Sequence, residues 1–244
     1  MLTVIAEKDN ISKNEILIND KSDCNHIQNV FRLKVGDELR VVDGEREYLT
    51  KILDISKKEV LLEILEDKED EYSLGVEIDI ALGILKNDKM NLAIQKLTEI
   101  GINEIIPLQT ERVVVKINEK KDKWDTIVRE TLKQCRGVKF TKISPVKKLK
   151  EIDYEKYDKV IFAYENSDEA KSVVNLINEN CKKILYVIGP EGGITESDVV
   201  LAGASNAMII GFNVRGNSLA LFLCKSKTST IGNKDWHIGP KDTR

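Results

Sequence analysis

The sequence predicts an α/β protein in which a small N-terminal β-barrel precedes a larger domain built around a parallel sheet. Short apolar runs separated by tight turns fill residues 1–66, whereas residues 78–188 alternate apolar strands with helically spaced apolar residues. An acidic segment without apolar periodicity, residues 66–72, separates the two patterns and is interpreted as a linker. The chain has 244 residues, which is enough for one or two domains.

Short strands dominate the N-terminal part. Apolar and β-branched runs predict them at residues 15–18, 39–42, 48–53 and 60–65. Asp43 and Gly44 stand between the second and third runs and are a strong signal for a tight hairpin. Residues 26–33 space their apolar side chains helically, and Gly36 is expected to end that turn. Several short strands joined by tight turns are typical of a small barrel.

The C-terminal part has a different period. Apolar strands are predicted at residues 78–85, 102–108, 160–164 and 184–188. Helices between them are predicted by Met90, Ile94 and Leu97, by Trp124, Ile127, Val128 and Leu132, and by residues 170–177. Gly101 is placed to cap the first of these helices. This alternation predicts a parallel sheet covered by helices on both faces.

Composition excludes several classes of protein. With 41% hydrophobic and 32% charged residues, the chain is not expected to be largely disordered. No apolar run approaches the ~18 residues of a membrane span, and the N-terminus lacks a signal-peptide pattern. The cysteines and histidines are far apart, which argues against a zinc site or a disulfide framework: Cys24, Cys135, Cys181, Cys224, His26 and His237. We therefore expect a soluble cytoplasmic protein with reduced cysteines, no membrane contact and no metal.

Charge is distributed unevenly along the chain. Residues 1–72 carry 11 Lys and Arg against 18 Asp and Glu, whereas residues 112–150 carry 13 basic and 4 acidic residues. A basic run of this kind can meet phosphates, although a solvated Lys-rich helix and loop would look the same. The acidic N-terminal part argues against general coating of nucleic acid. If the protein binds RNA, we expect it to use one face.

A glycine-rich turn is the most informative local sequence. Gly189, Pro190, Glu191, Gly192 and Gly193 follow the predicted strand 184–188. Ligands of open α/β sheets bind beyond the carboxyl ends of strands, and glycines there let the backbone approach a ligand closely. An ordinary strand-to-helix turn remains the alternative, with Thr195 and Asp198 as a capping box. The turn matches neither of the common phosphate-binding loops.

A second group consists of polar residues on the first predicted helix, after the second strand, and after the second helix. These residues are Lys96, Glu99, Arg112, Gln134 and Arg136. Lys96 and Glu99 are three residues apart and share one side of their helix, where a surface ion pair is the alternative to a functional role. Arg112 follows the carboxyl end of a strand, where a substrate-facing group would be, but a solvated arginine is the default interpretation.

Five segments resemble, in the same order and spacing, the RsmE-type 16S rRNA (uracil-N3) methyltransferases of the SPOUT superfamily. Residues 26–37 are similar to an N-terminal signature that ends in an RLK-x-GD pattern. The other four segments are residues 86–102, residues 107–112, which read PLQTER, residues 130–136, and the GPEGG of residues 189–193. The resemblance covers residues 24–193 and is specific because several motifs recur together.

The resemblance implies a fold and an assembly. It implies an α/β protein with a PUA-like RNA-binding β-barrel over residues 1–70 and a SPOUT methyltransferase domain with a trefoil knot over residues 73–225. An atypical tail, residues 226–244, follows. The family forms homodimers with each active site near the dimer interface, and it holds S-adenosylmethionine in a bent shape within the knot. The implied partner is 16S rRNA or the small ribosomal subunit.

The resemblance also implies roles for particular residues. Arg112 is the candidate for anchoring the RNA or stabilising the uracil anion, and Glu99, oriented by Lys96, is a weaker catalytic candidate. The cofactor-binding candidates are Gly189, Pro190, Glu191, Gly192, Gly193, Ile210 and Gly211. The RNA-binding candidates are Arg32, Lys86, Lys89, Gln134 and Arg136. The sulfonium methyl is already activated, so no metal is needed. Uracil N3 must lose its proton, and the proton acceptor stays unassigned.

The chain departs from this family after Gly193. The family's second cofactor signature has only degenerate matches in Ile210, Gly211 and Arg215, and its Glu-Thr-Ala element has no counterpart. Residues 193–215 instead resemble a segment of bacterial translation initiation factor two that lies outside the GTPase motifs. Three functions therefore remain open. One is the methyltransferase, and the second is a catalytically impaired RNA-binding protein of the same fold. The third is a translation-factor-like interaction module, which the resemblance over residues 24–193 argues against.

Overall fold

The computed structural model describes residues 1–71, 73–164, 181–190, 192–193, 195 and 208–211. Four predictions from the sequence fall outside these ranges in whole or in part: the helix at residues 170–177, the helix expected after Thr195, the knot that residues 194–225 would close, and the tail 226–244. Among the described residues, no helix is long and apolar enough to cross a membrane.

The N-terminal sheet has five strands: β1 (Thr3–Ile5), β2 (Glu15–Ile18), β3 (Glu38–Val42), β4 (Arg46–Ile55) and β5 (Val60–Glu69). Their order across the sheet is β1-β3-β4-β5-β2, with β1 parallel to β3 and the other pairs antiparallel. All five strands contribute side chains to one buried cluster, among them Val4, Ile16, Leu39, Ile52 and Leu62. The sheet therefore curls around its own core as a half-barrel, which confirms the predicted β-barrel class.

The predicted hairpin forms at Asp43 and Gly44. The Asp43 carboxylate accepts hydrogen bonds from the backbone N–H groups of Glu45, at 2.8 Å, and Arg46, at 2.7 Å. Gly44 has a φ of 96°, a conformation that glycine adopts without steric cost. The turn thus connects β3 to β4 as the dipeptide predicts.

Two N-terminal predictions need correction. The helical segment begins earlier than residue 26: α1 spans Lys21–Asn25, and a π-helical turn, His26–Val30, continues it. The side chain of Asp20 caps α1 by accepting the backbone N–H of Asp23, a local signal for the true start. The linker prediction for residues 66–72 is also wrong in part, because β5 continues to Glu69 by pairing with β4. Pairing with β4 holds residues 66–69 in a strand although their sequence has no apolar periodicity.

Over the residues that the structure describes, the C-terminal sheet is parallel and has six strands: β6 (Glu77–Gly83), β7 (Glu104–Leu108), β8 (Lys142–Ile143), β9 (Lys159–Tyr164), β10 (Lys183–Ile188) and β11 (Met208–Gly211). Their order is β11-β9-β10-β6-β7-β8. Two described helices pack on it: α2 (Asn87–Glu99) and α3 (Asp122–Gln134). Short 3-10 turns lie at Lys8–Asn10 and Leu149–Glu151. The predicted parallel α/β domain is confirmed, while β8 and β11 were not predicted.

The parallel sheet is buried on both faces. On one face, Ile80, Leu82, Met90, Ile94 and Trp124 join α2 and α3 to the sheet. On the other face, a second cluster includes the buried side chains of Ala81, Ile106, Leu108, Phe162 and Val187. Neighbouring residues of one strand thus enter different cores, as expected for a strand covered on both sides.

The half-barrel and the parallel sheet meet at α3. The Asp23 carboxylate lies 2.6 Å from the Lys133 ammonium, and the two side chains are only 1% and 11% exposed. The Arg40 guanidinium donates to the carbonyl oxygens of Arg136 and Gly137, at 3.2 and 3.3 Å. Apolar side chains from both sides pack beside these polar contacts: Ile5, Val42, Leu132 and Val138. The contact is therefore partly apolar and partly a buried ion pair.

Candidate functional site

The carboxyl ends of the parallel strands form one edge of the C-terminal sheet. Strands β6 and β10 lie side by side with Leu82 opposite Ile188, and the glycine-rich turn leaves β10 directly after this pair. On the far side of β9, Gly211 at the end of β11 lies opposite Tyr164. This edge is where open α/β sheets bind their ligands. It therefore collects Gly189, Pro190, Ile210 and Gly211 of the predicted cofactor set.

Gly83 and Pro190 pack in unusually close contact at this edge. A Cβ on Gly83 would lie 2.3 Å from the Pro190 nitrogen and 2.7 Å from the Gly189 carbonyl carbon. Such distances are impossible for a real side chain, so only glycine at position 83 lets the turn cross the end of β6. Sequence reasoning missed Gly83, although a glycine that ends a buried apolar strand is a signal for close backbone approach.

A backbone hydrogen bond between two described residues holds the turn. The Gly193 N–H donates to the Pro190 carbonyl at 2.8 Å, and Gly193 has a φ of 76°. Glycine is the residue that adopts this left-handed backbone most readily. Glycine is therefore needed at position 193 for its backbone conformation. At position 192 it is needed because a neighbour from another loop packs against it. Glu191, a predicted cofactor residue, lies outside the described residues.

That neighbour of Gly192 is Arg112, which follows β7. A Cβ on Gly192 would lie 2.7 Å from the Arg112 carbonyl oxygen and 3.0 Å from the Arg112 Cβ. The Arg112 guanidinium donates to the Gly192 carbonyl oxygen at 3.4 Å, and the Arg112 side chain is exposed. The structure thus brings the leading catalytic candidate into contact with the glycine-rich turn.

Thr110 adds a buried polar group beside Arg112. The residue is 8% exposed, and its hydroxyl has no hydrogen-bond partner in the described part of the chain. Buried hydroxyls are nearly always hydrogen-bonded, so an unpartnered one at a ligand-binding edge is a candidate contact for a bound molecule. Thr110 is part of the PLQTER segment, but no role was predicted for it, because the burial of its hydroxyl is visible only in the folded structure.

Lys96 and Glu99 lie elsewhere. They occupy the last turn of α2, and their side chains form an ion pair with 2.8 Å between Nζ and Oε2. The chain enters β7 directly afterwards at Glu104, which lies opposite Asp79 near the start of β6. The end of α2 is therefore at the amino-terminal edge of the sheet, about 18 Å of helix from its start. The structure does not bring Lys96 and Glu99 to the edge that holds Arg112.

The predicted RNA-binding residues fall into three places. Lys86 and Lys89 are exposed at the start of α2, on the same edge as the glycine-rich turn. Gln134 and Arg136 are exposed at the end of α3, beside the half-barrel. Arg32 is exposed on the half-barrel, two residues after the π-helical turn ends at Val30. Only the first pair lies beside the candidate site.

Comparison with known proteins places the chain in a family. The profile of the RNA methyltransferase domain matches residues 72–215, more than half of the chain. The chain belongs to this RNA methyltransferase family. The profile of the RNA methyltransferase PUA domain matches residues 18–65, within the half-barrel. Family membership confirms the resemblance that the sequence motifs indicated.

Individual relatives agree with the family. The chain is 29% identical over 206 residues to ribosomal RNA small subunit methyltransferase E of Bacillus subtilis, which covers 79% of this chain and 80% of that protein. A crystal structure of the same-named enzyme from Neisseria gonorrhoeae, bound to S-adenosyl methionine, is similar with a TM-score of 0.76 and 20% identity. It covers 93% of this chain and 97% of that chain, and at this identity it supports the fold alone.

One relative belongs to another class. The chain is 48% identical over 61 residues to translation initiation factor IF-2 of Finegoldia magna. The match covers 25% of this chain but only 8% of that factor. It confirms the second resemblance found in the sequence. The 48% identity over these 61 residues is higher than the 29% identity to the Bacillus subtilis methyltransferase over 206 residues.

Proposed function

We propose that the protein is an S-adenosylmethionine-dependent methyltransferase that methylates N3 of a uridine in 16S rRNA. The observation that carries this proposal is the match of the RNA methyltransferase domain to residues 72–215. The contact between Arg112 and Gly192 at the carboxyl edge supports it, because it joins a cationic side chain to the turn that would line the cofactor pocket.

The described residues fit a cofactor with several polar groups. At the carboxyl edge, the glycine-rich turn presents main chain without side chains at Gly189 and Gly193, so a ligand can approach the backbone closely. The unpartnered hydroxyl of Thr110 supplies a further hydrogen-bonding group. Bound S-adenosylmethionine would supply a methyl group already activated by its sulfonium. We expect Ile210 and Gly211 at the end of β11 to complete this pocket.

Arg112 has the chemistry that uracil methylation needs from the protein. Loss of the N3 proton leaves a negative charge shared with the uracil oxygens, and a guanidinium placed at that charge stabilises it. Arg112 is held at the site by its contact with Gly192, and its side chain is exposed and so accessible to a base. We assign Arg112 to the stabilisation of this anion and assign no role in the reaction to Lys96 or Glu99.

RNA contact and assembly complete the proposal. Lys86 and Lys89 are exposed beside the site and would bind phosphates, so affinity for RNA should fall steeply with salt. The target base has to be unpaired or extruded to reach the edge of the sheet. We further propose a homodimer that acts in the cytoplasm on the small ribosomal subunit, with domains at residues 1–70 and 73–225 and a tail at 226–244.

A second function is favoured by one observation. The 61-residue match to an initiation factor indicates that part of the chain does not follow the methyltransferase sequence. If that part fails to complete the cofactor pocket, the protein would bind RNA without methylating it.

Calorimetric titration of the purified protein with S-adenosylmethionine tests the proposal. We expect saturable binding near one site per chain, followed by methyl transfer to small ribosomal subunits that lack the modification. Absence of binding by folded protein would reject the methyltransferase, and retained RNA binding in that case would select the second function.

A further inference from the structure

An exposed apolar patch lies on the half-barrel, at the end of the π-helical turn. Val30 is 57% exposed, Phe31 is 53% exposed and Val35 is 62% exposed. Three large apolar side chains within six residues leave the surface unusually apolar at this point, since single exposed apolar residues are common but clusters mark binding sites.

The phenylalanine of this patch is held in position. Its ring lies perpendicular to the His26 imidazole, with 6.4 Å between the ring centroids. The backbone is held as well: the Phe31 N–H donates to the His26 carbonyl at 2.8 Å, and the Leu33 N–H donates to the Ile27 carbonyl at 2.9 Å. An exposed but oriented aromatic ring loses little freedom when it stacks on a ligand.

Two exposed cations follow Phe31 closely in the chain. Arg32 and Lys34 are exposed on either side of Leu33, and the nearest acidic group in the sequence, Asp37, accepts the backbone N–H of Lys34 at 2.7 Å. Arg32 has a φ of 54°, the one positive value outside glycine among the described residues. A positive φ outside glycine is uncommon, and residues with such backbone conformations cluster at functional sites.

The patch is also connected to the basic part of the chain. Residues 1–72 carry a net charge of −7, from 11 basic and 18 acidic residues, so a polyanion is repelled from most of the half-barrel. The π-helical turn directly follows α1, whose Asp23 contacts Lys133 of α3. The exposed Arg136 follows at the end of α3.

We propose that Phe31 is a stacking platform for a base of unpaired RNA, with Arg32 and Lys34 binding the adjoining phosphates. Aromatic rings stack on bases of any sequence, and flanking cations track the backbone, which is how single-stranded RNA is bound in general. This inference rests on the proposed function only in that the substrate is RNA. It concerns a contact separate from the site of methyl transfer.

Fluorescence anisotropy with the full chain tests this stacking. The probes are fluorescein-labelled oligouridylate and an oligomer of the same length with abasic ribose in place of each nucleoside. We expect Phe31→Ala to weaken oligouridylate binding about tenfold and to leave the abasic probe unaffected. Phe31→Trp should retain binding, whereas Phe31→Leu should lose it. Leu65→Ala, at a 45% exposed residue of β5, is the matched control.

The cation is tested by a substitution that should not harm the fold. Glycine adopts the backbone of Arg32 more easily than arginine, so Arg32→Gly should unfold at the same or a higher temperature. It should weaken both probes and reduce the salt dependence of binding by about one phosphate contact. Lys13→Ala removes one exposed positive charge elsewhere on the half-barrel and should change neither probe appreciably.

Three results would overturn the proposal: no measurable binding of oligouridylate by the wild type, equal affinities of wild type and Phe31→Ala, or full retention of affinity by Phe31→Leu. Because the probes are measured without S-adenosylmethionine, these results do not depend on methyl transfer. A protein that binds RNA through Phe31 but fails to bind the cofactor would reject the proposed function and support the stacking platform.

Discussion

The side chain of Arg112 contacts the main chain of Gly192, although eighty residues separate them in sequence. Gly192 has no Cβ and therefore leaves room for the Arg112 backbone. The Arg112 guanidinium in turn donates a hydrogen bond to the Gly192 carbonyl oxygen. The loops after β7 and β10 are thereby joined at one edge of the sheet. A substitution that displaces the main chain of one of these loops should therefore displace the other loop as well.

We predict that Gly192→Ala weakens S-adenosylmethionine binding at least tenfold. The new Cβ would lie 2.7 Å from the Arg112 carbonyl oxygen, so the turn or the loop after β7 has to move. Calorimetric titration measures the effect. Gly75→Ala is the matched control because a Cβ there meets nothing within 4 Å. Equal affinities of Gly192→Ala and wild type would show that the contact does not shape the pocket.

Gly83→Ala should act on the fold more than on affinity. Its Cβ would overlap the Pro190 nitrogen at 2.3 Å, between two buried parts of the main chain that have no flexible side chain to yield. Overpacking of this kind typically costs about 1–3 kcal/mol in the free energy of unfolding. Urea unfolding followed by circular dichroism measures it. A variant as stable as the wild type would contradict the close packing of the turn on β6.

Arg112→Ala should reduce the rate of methyl transfer about 10²–10³-fold, as expected when one group that stabilises a developing anion is removed. The dissociation constant for S-adenosylmethionine should change far less, because alanine keeps the Arg112 main chain and Cβ that pack on Gly192 and removes only the hydrogen bond to the Gly192 carbonyl oxygen. Single-turnover methylation with saturating cofactor separates the two quantities. Lys57→Ala, at an exposed cation in the turn between β4 and β5, serves as the control. An unchanged single-turnover rate would remove Arg112 from the chemistry.

Lys133→Met should destabilise the contact between the half-barrel and α3. Burial disfavours the charged form of Lys133, but its ion pairs with Asp23 and Glu130 outweigh this, so the pKa of Lys133 lies above its ordinary value. Removing the ammonium leaves the Asp23 carboxylate buried without its partner, a loss of about 3–5 kcal/mol in comparable cases.

Chemical unfolding of Lys133→Met and of Lys133→Met with Asp23→Asn tests this coupling. The double variant should regain part of the lost stability, because a neutral amide tolerates burial better than an unpaired carboxylate. If the second substitution only adds to the loss, then the ion pair does not account for the effect of the first.

Tyr48 should make stability fall at high pH. Burial, together with its hydrogen bond to the Asp43 carboxylate at 2.9 Å, raises the pKa of Tyr48 to about 12. A pKa raised in the folded state contributes stability that is complete below the unfolded value near 10 and is lost as the pH rises towards 12. Tyr48→Phe should therefore lose less stability than the wild type between these pH values. Urea unfolding at pH 9 and pH 11.5 compares them, and parallel losses would refute the assignment.

Sequence patterns predicted the features that depend only on residues close together in the chain. The Asp43-Gly44 hairpin and the Gly101 cap of α2 are of this kind, because turn chemistry acts over a few residues. The extension of β5 to Glu69 was not predictable in this way, since it depends on pairing with Arg46 across the sheet. Composition at residues 66–69 indicates a linker, and the partner strand overrides it.

The sequence by itself determined the two-part α/β architecture, the family and the glycine-rich turn, because periodicity, turn residues and motif spacing are properties of short segments. Only the tertiary structure decided which candidates meet. It joined Arg112 to Gly192, revealed Gly83 and Thr110 beside them, and placed Lys96 and Glu99 at the opposite edge. The physical reason is that parallel strands gather their carboxyl ends at one edge, whatever the sequence distance between them, while the helix that follows each strand carries its last residues away from that edge.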